Sequence, residues 1–291
     1  MAHITEQPTA AARELVTDYS IEMTGKDLGQ LDEAAARIPP GTRVNVTFLG
    51  TEDLPMRLTA ARAVISHGFI PVPHISARRL RSLAELEEFV TQLEAAGASE
   101  HVFAVGGDPT SPDGPFDDSL GVIATGRLAP HSVREVAIAG YPEGHPAISS
   151  DRLWGALEDK TALLAEQGLE CVILTQFAFD SAPVVDWIDE VRSRGILAPI
   201  RIGTPGPAGV KRLLTFARRF GIGANAMIVK KYGFSLTNLM GTAGPDRFVS
   251  DLATALAERP QSGDVRLHFY AFGGLAATAA WAADYVSEKA R

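Results

Sequence analysis

The sequence has a single cysteine, no long apolar run and no excess of positive charge. Cys171 is the only cysteine among the 291 residues. A single cysteine excludes an internal disulfide or a thiolate cluster and is typical of a protein in a reducing compartment. No stretch approaches the length of a membrane span, and residues 1–18, a ragged lead-in, contain no apolar segment of signal length. We therefore expect a cytoplasmic protein that does not bind a membrane.

The charge balance argues against nucleic acid as a partner, because the net charge is −8 and a polyanion would be repelled. An apolar content of 46% and a charged content of 21% are typical of a soluble globular protein. We expect a small-molecule ligand, whose anionic parts would be held by local positive charge or backbone amides. The sequence leaves the oligomeric state open, with a homo-oligomer as one option.

Short apolar segments alternate with amphipathic ones along the chain. The predicted strands are residues 19–23, 43–48, 69–75, 101–105, 136–140, 171–175, 200–203 and 265–270. The predicted helices are residues 27–37, 54–66, 83–96, 118–128, 150–167, 184–193, 210–220, 246–258 and 275–287. Regular alternation implies a parallel sheet, and eight units favour closure into one α/β domain over residues 1–291, a (β/α)8 barrel. An open doubly wound sheet is the alternative, disfavoured because the first turn lacks a G-x-G-x-x-G loop.

Polar and aromatic residues follow the predicted strands with unusual regularity. They are Glu22, Thr47, His74, Asp108, Tyr141, Glu143, His145, Gln176, Asp180 and Tyr270. In a barrel the carboxyl ends of all strands lie on one rim, so these residues would share one mouth. The pattern favours an enzyme or a small-ligand binder over a structural protein. The stretch 141–146, Tyr-Pro-Glu-Gly-His-Pro, is the most distinctive, because its prolines stiffen a polar, aromatic loop.

The motifs at these strand ends resemble those of the methylenetetrahydrofolate reductases. The matching pieces occur in family order: Ser-Ile-Glu at 20–22, Val-Thr at 46–47, Pro-His-Ile-Ser at 73–76, Gly-Asp at 107–108, the 141–146 stretch, Leu-Thr-Gln-Phe-Ala-Phe-Asp at 174–180 and His-Phe-Tyr at 268–270. Members of that family are (β/α)8 flavoproteins that reduce 5,10-methylenetetrahydrofolate to 5-methyltetrahydrofolate. The resemblance implies a folate substrate, FAD as cofactor and NADH or NADPH as hydride donor.

The resemblance also implies a role for each motif residue. Glu22 would be the general acid that protonates N10 of the folate, and Asp108 would stabilise the resulting iminium cation. Gln176 would bind the aminopyrimidinone edge of the pterin, while Phe179 and Tyr270 would sandwich the ring of the pterin or of the flavin. The residues expected to contact the flavin are Thr47, His74, Gly107, Asp108, Tyr141, His145 and Lys160.

The sequence departs from the family pattern at several cofactor positions. Gly106 stands where the family has an arginine, and the usual Lys-x-Lys after the fifth strand is absent, with Lys160 alone nearby. In the family an aromatic residue commonly stacks over the flavin, in the place that nicotinamide or folate also occupies, and this residue is replaced around 209–210. Gly273 and Gly274 stand where the family often has an Asn-Arg pair. Residues 230–244 have no clear counterpart. A reductase that uses flavin weakly, or dispenses with it, is consistent with these changes.

Other functions remain open from the sequence. A folate- or flavin-binding barrel without redox activity is one alternative, although binding alone would not require Glu22. A methyltransferase acting on tetrahydrofolate is another, and the direction of the redox reaction is not fixed. His74 has no second His or Cys at a ligand-like spacing, so we expect no metal site. No nucleophile elbow indicates a Ser–His–Asp hydrolase.

Overall fold

Eight parallel strands form a closed barrel in the computed structural model, which describes residues 8–209, 215, 242–272 and 274–287. The barrel strands are β1 Ser20–Met23, β2 Arg43–Val46, β3 Ile70–Ser76, β4 His101–Val105, β5 Glu135–Gly140, β6 Glu170–Thr175, β7 Ile200–Pro205 and β10 Val265–Tyr270. Around the barrel they follow the order β1-β10-β7-β6-β5-β4-β3-β2. The predicted (β/α)8 barrel is confirmed.

Helices connect the strands and cover the outside of the barrel. They are α1 Ala10–Thr17, α2 Leu28–Ala34, α3 Leu54–Ser66, α4 Leu83–Ala95, α5 Ser119–Ala124, α6 Ser150–Glu166, α7 Ser181–Ser193, α8 Asp246–Ala257 and α9 Leu275–Ser287. The helix predicted at 210–220 lies outside the described residues, apart from Thr215. None of the described helices combines the length and the apolar character needed to cross a bilayer.

The structure shortens one predicted helix and extends another. The helix expected over residues 118–128 ends at Ala124, because Gly126 adopts a positive φ of 65° that a helix cannot continue. The helix expected from residue 184 already begins at Ser181, since the Asp180 side chain accepts a hydrogen bond from the Ala182 N–H at 3.3 Å and caps it.

A two-stranded antiparallel pair, β8 Ala208–Gly209 and β9 Thr242–Ala243, follows β7 and was not predicted. Strands of two residues are too short to produce a hydrophobic period, so the sequence carries no signal for them. The pair places Gly209 beside Thr242, although 32 residues separate them along the chain.

The barrel interior is apolar on one side and polar on the other. Inward side chains of β3 to β6 form a dry cluster, made of Val72, Phe103, Ala137, Val172 and Leu174. On β1, β2, β3 and β10 the corresponding buried residues are Ser20, Asn45, His74 and His268. These polar groups hydrogen-bond in pairs, Ser20 Oγ with His268 Nδ1 at 2.8 Å and Asn45 Nδ2 with His74 Nε2 at 3.4 Å. Pairing limits the penalty of burying them.

Charged side chains close the opposite, amino-terminal end of the barrel. Arg43 Nη2 lies 2.7 Å from Glu135 Oε2, and His101 Nδ1 lies 3.2 Å from Glu135 Oε1. Arg201 donates to the backbone oxygen of Asp18 at 3.1 Å. Since this network is far from the strand ends that carry the predicted site, we assign it to stability.

Gly203 on β7 packs inside the barrel where no side chain fits. A Cβ there would lie 2.5 Å from the Thr175 carbonyl oxygen and 2.6 Å from the Tyr270 ring. We expect Gly203→Ala to lower the free energy of unfolding by about 1–3 kcal/mol through overpacking, as measured by urea denaturation. Gly155→Ala in α6 is the matched control, because a Cβ there meets nothing within 4 Å, and it should stabilise by about 0.5–1 kcal/mol. Equal stability of both variants would contradict this packing.

Candidate functional site

The ends of β1 and β2 bring Glu22 and Thr47 together at the mouth of the barrel. Parallel pairing places Glu22 beside Asn45, and the Thr47 N–H donates to the Met23 carbonyl oxygen at 2.8 Å. Thr47 Oγ1 then donates a long hydrogen bond of 3.4 Å to Glu22 Oε2. Two residues predicted for the site from separate motifs are therefore in contact.

The environment of the Glu22 carboxyl group favours its protonated form. Burial raises its pKa from 4.5 to about 8; the Thr47 hydrogen bond opposes this shift, and the charge of Asp27 adds to it. The residue keeps some solvent exposure, but its carboxyl group is surrounded by protein. A buried carboxylic acid with a pKa near the working pH is suited to proton donation.

The two buried histidines near Glu22 are neutral. Burial lowers the pKa of His74 to about 3, and burial together with the nearby His74 and Arg201 lowers the pKa of His268 well below its ordinary value. His74 lies edge-on to Phe103, with ring centroids 4.8 Å apart. Because neither imidazole is charged, neither stabilises an ionised Glu22.

Tyr270 lies near Glu22 but is held by protein contacts on several sides. Its hydroxyl donates to the Thr175 carbonyl oxygen at 3.0 Å, and its ring lies edge-on to His268 at 4.8 Å and to Phe177 at 5.4 Å. Burial first, and then the charges of Glu22 and Tyr141, raise the pKa of its phenol well above the ordinary value. Glu22, Tyr141 and Tyr270, at the ends of β1, β5 and β10, are therefore close enough for their charges to interact.

Gln176 and Phe179, predicted to bind substrate, differ in their exposure. Phe179 is 4% exposed and packs edge-on to Phe177, with centroids 5.7 Å apart. Gln176 is half-buried, and its Oε1 accepts from the N–H of Phe177 at 3.3 Å. Among the described residues its Nε2 has no hydrogen-bond partner. The Gln176 amide can therefore still donate to a ligand, whereas the Phe179 ring is packed against other side chains at the rim.

Asp108 forms an ion pair with Arg79, a residue that the sequence did not single out. Arg79 Nη2 and Nε lie 2.5 Å and 3.1 Å from Asp108 Oδ1. Its guanidinium covers Gly50 so closely that a Cβ there would overlap it. Arg79 thus brings to the end of β4 a cation that Gly106 does not supply. Gly107, with a φ of 96°, has no room for a Cβ because the Ser76 hydroxyl lies against it.

Tyr141 and His145 pack against each other in the loop after β5. Their rings meet edge-on with centroids 5.4 Å apart, and Gly144, at a φ of 77°, turns the loop between them. His145 Nδ1 accepts from the Ala147 N–H at 3.1 Å. Burial lowers the pKa of His145 and raises that of Tyr141. The loop is a compact turn, as its prolines and glycine predict.

Lys160 does not join the other predicted residues at the mouth. It lies in the middle of α6 and is 8% exposed, close to Asp118 at the start of α5 and to Cys171 at the foot of β6. Burial lowers the pKa of its ammonium. The Lys160 ammonium therefore lies beside the helices around the barrel and not at the carboxyl ends of the strands.

The described residues fit a flavin only in part. Thr47, Tyr141 and His145 offer hydroxyl and imidazole groups at the rim, but the two arginines that follow β3 are engaged. Arg79 is paired with Asp108, and Arg78 donates to the carbonyl oxygens of Pro109 and Thr110 at 2.8 Å and 2.6 Å. Both arginines, which follow β3, are thus committed to protein partners and not to a flavin diphosphate. Cations in the stretch 210–241 lie outside the described residues.

The structure adds Phe272 to the mouth, which sequence reasoning missed. It follows β10 and stacks on Tyr270 with centroids 5.9 Å apart and planes 28° apart. The Gly-Gly pair after it was a turn signal that could have drawn attention to this position. Across the described residues, no group of three or more His, Cys, Asp or Glu side chains could hold a metal ion.

The comparisons with known proteins give no information beyond the fold described above. No protein-family model matches the sequence. Similar solved structures include a dihydropteroate synthase (FolP) from Thermus thermophilus, at 14% identity and a TM-score of 0.48 over 98% of this chain and 96% of that one. A 3-dehydroquinate dehydratase from Aquifex aeolicus has 12% identity and a TM-score of 0.42, covering 68% of this chain and 84% of its own. A β-N-acetylhexosaminidase from Streptomyces coelicolor has 10% identity and a TM-score of 0.40, covering 87% and 58%.

At these identities and TM-scores the likenesses carry no argument about what this chain does. The predicted roles of the site residues therefore remain predictions, to be judged on the chemistry of the mouth.

We expect Glu22→Gln to stabilise the protein, and to do so more at high pH. A carboxyl whose folded pKa is about 8, against 4.5 ordinarily, makes wild type lose stability as the pH rises from about 4.5 to about 8. An amide does not ionise, so the difference in Tm between variant and wild type should widen across that window. Thermal denaturation between pH 5 and 9 measures it, with Glu166→Gln on the exposed face of α6 as the control. A constant difference would contradict the raised pKa.

Proposed function

We propose that the protein interconverts 5,10-methylenetetrahydrofolate and 5-methyltetrahydrofolate by hydride transfer, with NADH or NADPH as the reductant. The observation that carries the proposal is Glu22, a protonated carboxylic acid in contact with Thr47 at the mouth of the barrel. Glu22 lies in the Ser-Ile-Glu motif which, by the resemblance to the methylenetetrahydrofolate reductases, carries the general acid. The Gln176 amide and the Asp108 carboxyl at other strand ends support the proposal.

The first step needs an acid. Protonation of N10 by Glu22 lets the bond between N10 and the bridging carbon break, and the electron pair of that bond stays on N10. The bridging carbon becomes an N5-iminium cation. Glu22, now a carboxylate, remains beside this cation and stabilises it electrostatically.

The second step delivers two electrons as hydride to the iminium carbon and produces the N5-methyl group. The nicotinamide is oxidised to NAD(P)⁺, so one proton and one hydride are consumed for each methylene group reduced. Glu22 recovers its proton from solvent. The reverse sequence oxidises the methyl group, with Glu22 as the base that takes the proton from N10.

The neutral histidines favour this use of Glu22. A charged imidazole near the acid would lower its pKa and would also repel the iminium cation. Burial keeps His74 and His268 uncharged, so the cation meets the carboxylate without competition from them. Asp108 lies at the end of β4 in an ion pair with Arg79, and the amide nitrogen of Gln176 is available to the pterin edge.

FAD remains part of the proposal through the resemblance alone. When bound, a flavin would accept hydride from the nicotinamide and pass it to the folate. Among the described residues, the set of cations is incomplete and gives no basis for assigning a step to it. The visible spectrum of the purified protein separates the two routes, since a colourless protein that is active with NADH transfers hydride directly.

We expect NADH or NADPH oxidation that depends on 5,10-methylenetetrahydrofolate, with a rate that falls as the pH rises through about 8 because Glu22 loses its proton. Glu22→Gln should lower kcat by about 10²–10⁴-fold, the usual contribution of a general acid. Glu166→Gln, an exposed change of the same chemistry, should leave it unchanged.

Three outcomes would contradict parts of this account. An unaltered rate in Glu22→Gln would remove the acid assignment. Binding of 5-methyltetrahydrofolate without any redox turnover would favour a non-redox binding barrel, and transfer of its methyl group to an acceptor would favour a methyltransferase.

A further inference from the structure

Phe272 adopts a backbone conformation that is unfavourable for its side chain. Its φ is 46°, in the left-handed region that bulky L-residues rarely occupy. It lies in a turn after β10 that is closed by a hydrogen bond of 2.8 Å from the Gly274 N–H to the Ala271 carbonyl oxygen. Glycine or asparagine would fit this position without strain.

The other described non-glycine residue with positive φ has a local explanation. Ser132, at 62°, ends a 3₁₀ turn, and its hydroxyl donates to Glu94 Oε1. A short polar side chain tolerates this conformation and bonds nearby. An aromatic ring makes no such hydrogen bond, and the conformation of Phe272 fixes where its ring lies. Strain of this kind is found where function requires a particular side-chain position.

The turn places the ring of Phe272 on the aromatic cluster at the mouth. It stacks on Tyr270 and lies edge-on to Phe177, with centroids 5.3 Å apart and planes 84° apart. Phe177 and Phe179 are buried, whereas Phe272 is half-buried. Phe272 therefore covers Tyr270, the residue predicted to stack on the ligand, and presents aromatic surface further out on the rim.

We infer that Phe272 is a specificity-determining residue whose ring contacts the planar conjugated ring of the ligand at the barrel mouth. This inference rests on the proposed function, because the pterin of the folate is that planar ring. Aromatic rings prefer offset-stacked or edge-to-face partners at centroid distances of about 4.5–7 Å. The strained turn holds the ring in place before the ligand arrives, which reduces the ordering that binding requires.

The test is the dissociation constant of 5-methyltetrahydrofolate, measured by isothermal titration calorimetry on the full-length protein. Phe272→Gly removes the ring and relieves the turn, and we expect binding to weaken about tenfold or more. Phe272→Leu keeps bulk and backbone strain but lacks an aromatic face, so it should weaken binding less. Ser132→Gly, which relieves the other positive φ away from the mouth, should bind as wild type does.

A second readout separates ligand contact from packing. Phe272→Gly should raise the KM for the folate while kcat stays within about threefold, because the residue does not take part in proton or hydride transfer. If Phe272→Gly lowers the Tm but leaves the dissociation constant and KM unchanged, the ring only packs and the inference is overturned. If wild type itself does not bind 5-methyltetrahydrofolate, the proposed function fails and this inference with it.

Discussion

Among the described residues, the Glu22 carboxyl group is buried with no cation beside it, and this burial raises its pKa. Glu22 is enclosed at the end of β1, where the Thr47 hydroxyl contacts it and the negative charge of Asp27 adds to the rise in its pKa. Water no longer solvates the ionised form, so the proton is retained. Arg79 contacts Asp108 and not Glu22. A cation placed against Glu22 would convert the acid into an ordinary carboxylate.

The polar half of the barrel interior supports this arrangement. Small polar and neutral aromatic groups, Ser20, Asn45, His74 and His268, fill the space on the side of β1, while the opposite side is packed with apolar side chains. The hydrogen bonds within the polar half satisfy the buried atoms without introducing charge. The closed network of β-strands thus provides rigid positions for groups that come from distant parts of the sequence.

The sequence predicted the fold well because its alternation is strong and local. The strands His101–Val105 and Val265–Tyr270 and the helices Leu54–Ser66 and Leu275–Ser287 have the expected boundaries, since each combines an apolar period with clear breakers. The two-residue strands β8 and β9 carry no period and were missed.

The position of a candidate site residue could be predicted from the sequence only where the residue lies at the end of a predicted strand. Glu22 and Thr47 meet because parallel strand ends share a rim. Lys160 was placed by sequence proximity to the fifth strand, but the face it occupies on α6 depends on how that helix packs. Arg79 and Phe272 were missed, because an ion pair between two loops and a positive φ at a bulky residue both arise from tertiary structure. The Gly-Gly pair after Phe272 indicated a turn but not the position of the ring.

The most direct test of this account is the pKa of Glu22 itself. Carbon-13 NMR of protein labelled at the glutamate side-chain carboxyls, compared with Glu22→Gln to assign the missing resonance, reports that titration separately from catalysis. We predict a single Glu22 midpoint near pH 8, well above the ordinary value of 4.5. A midpoint close to 4.5 would show an ionised carboxylate at neutral pH and would contradict the assignment of Glu22 as the acid.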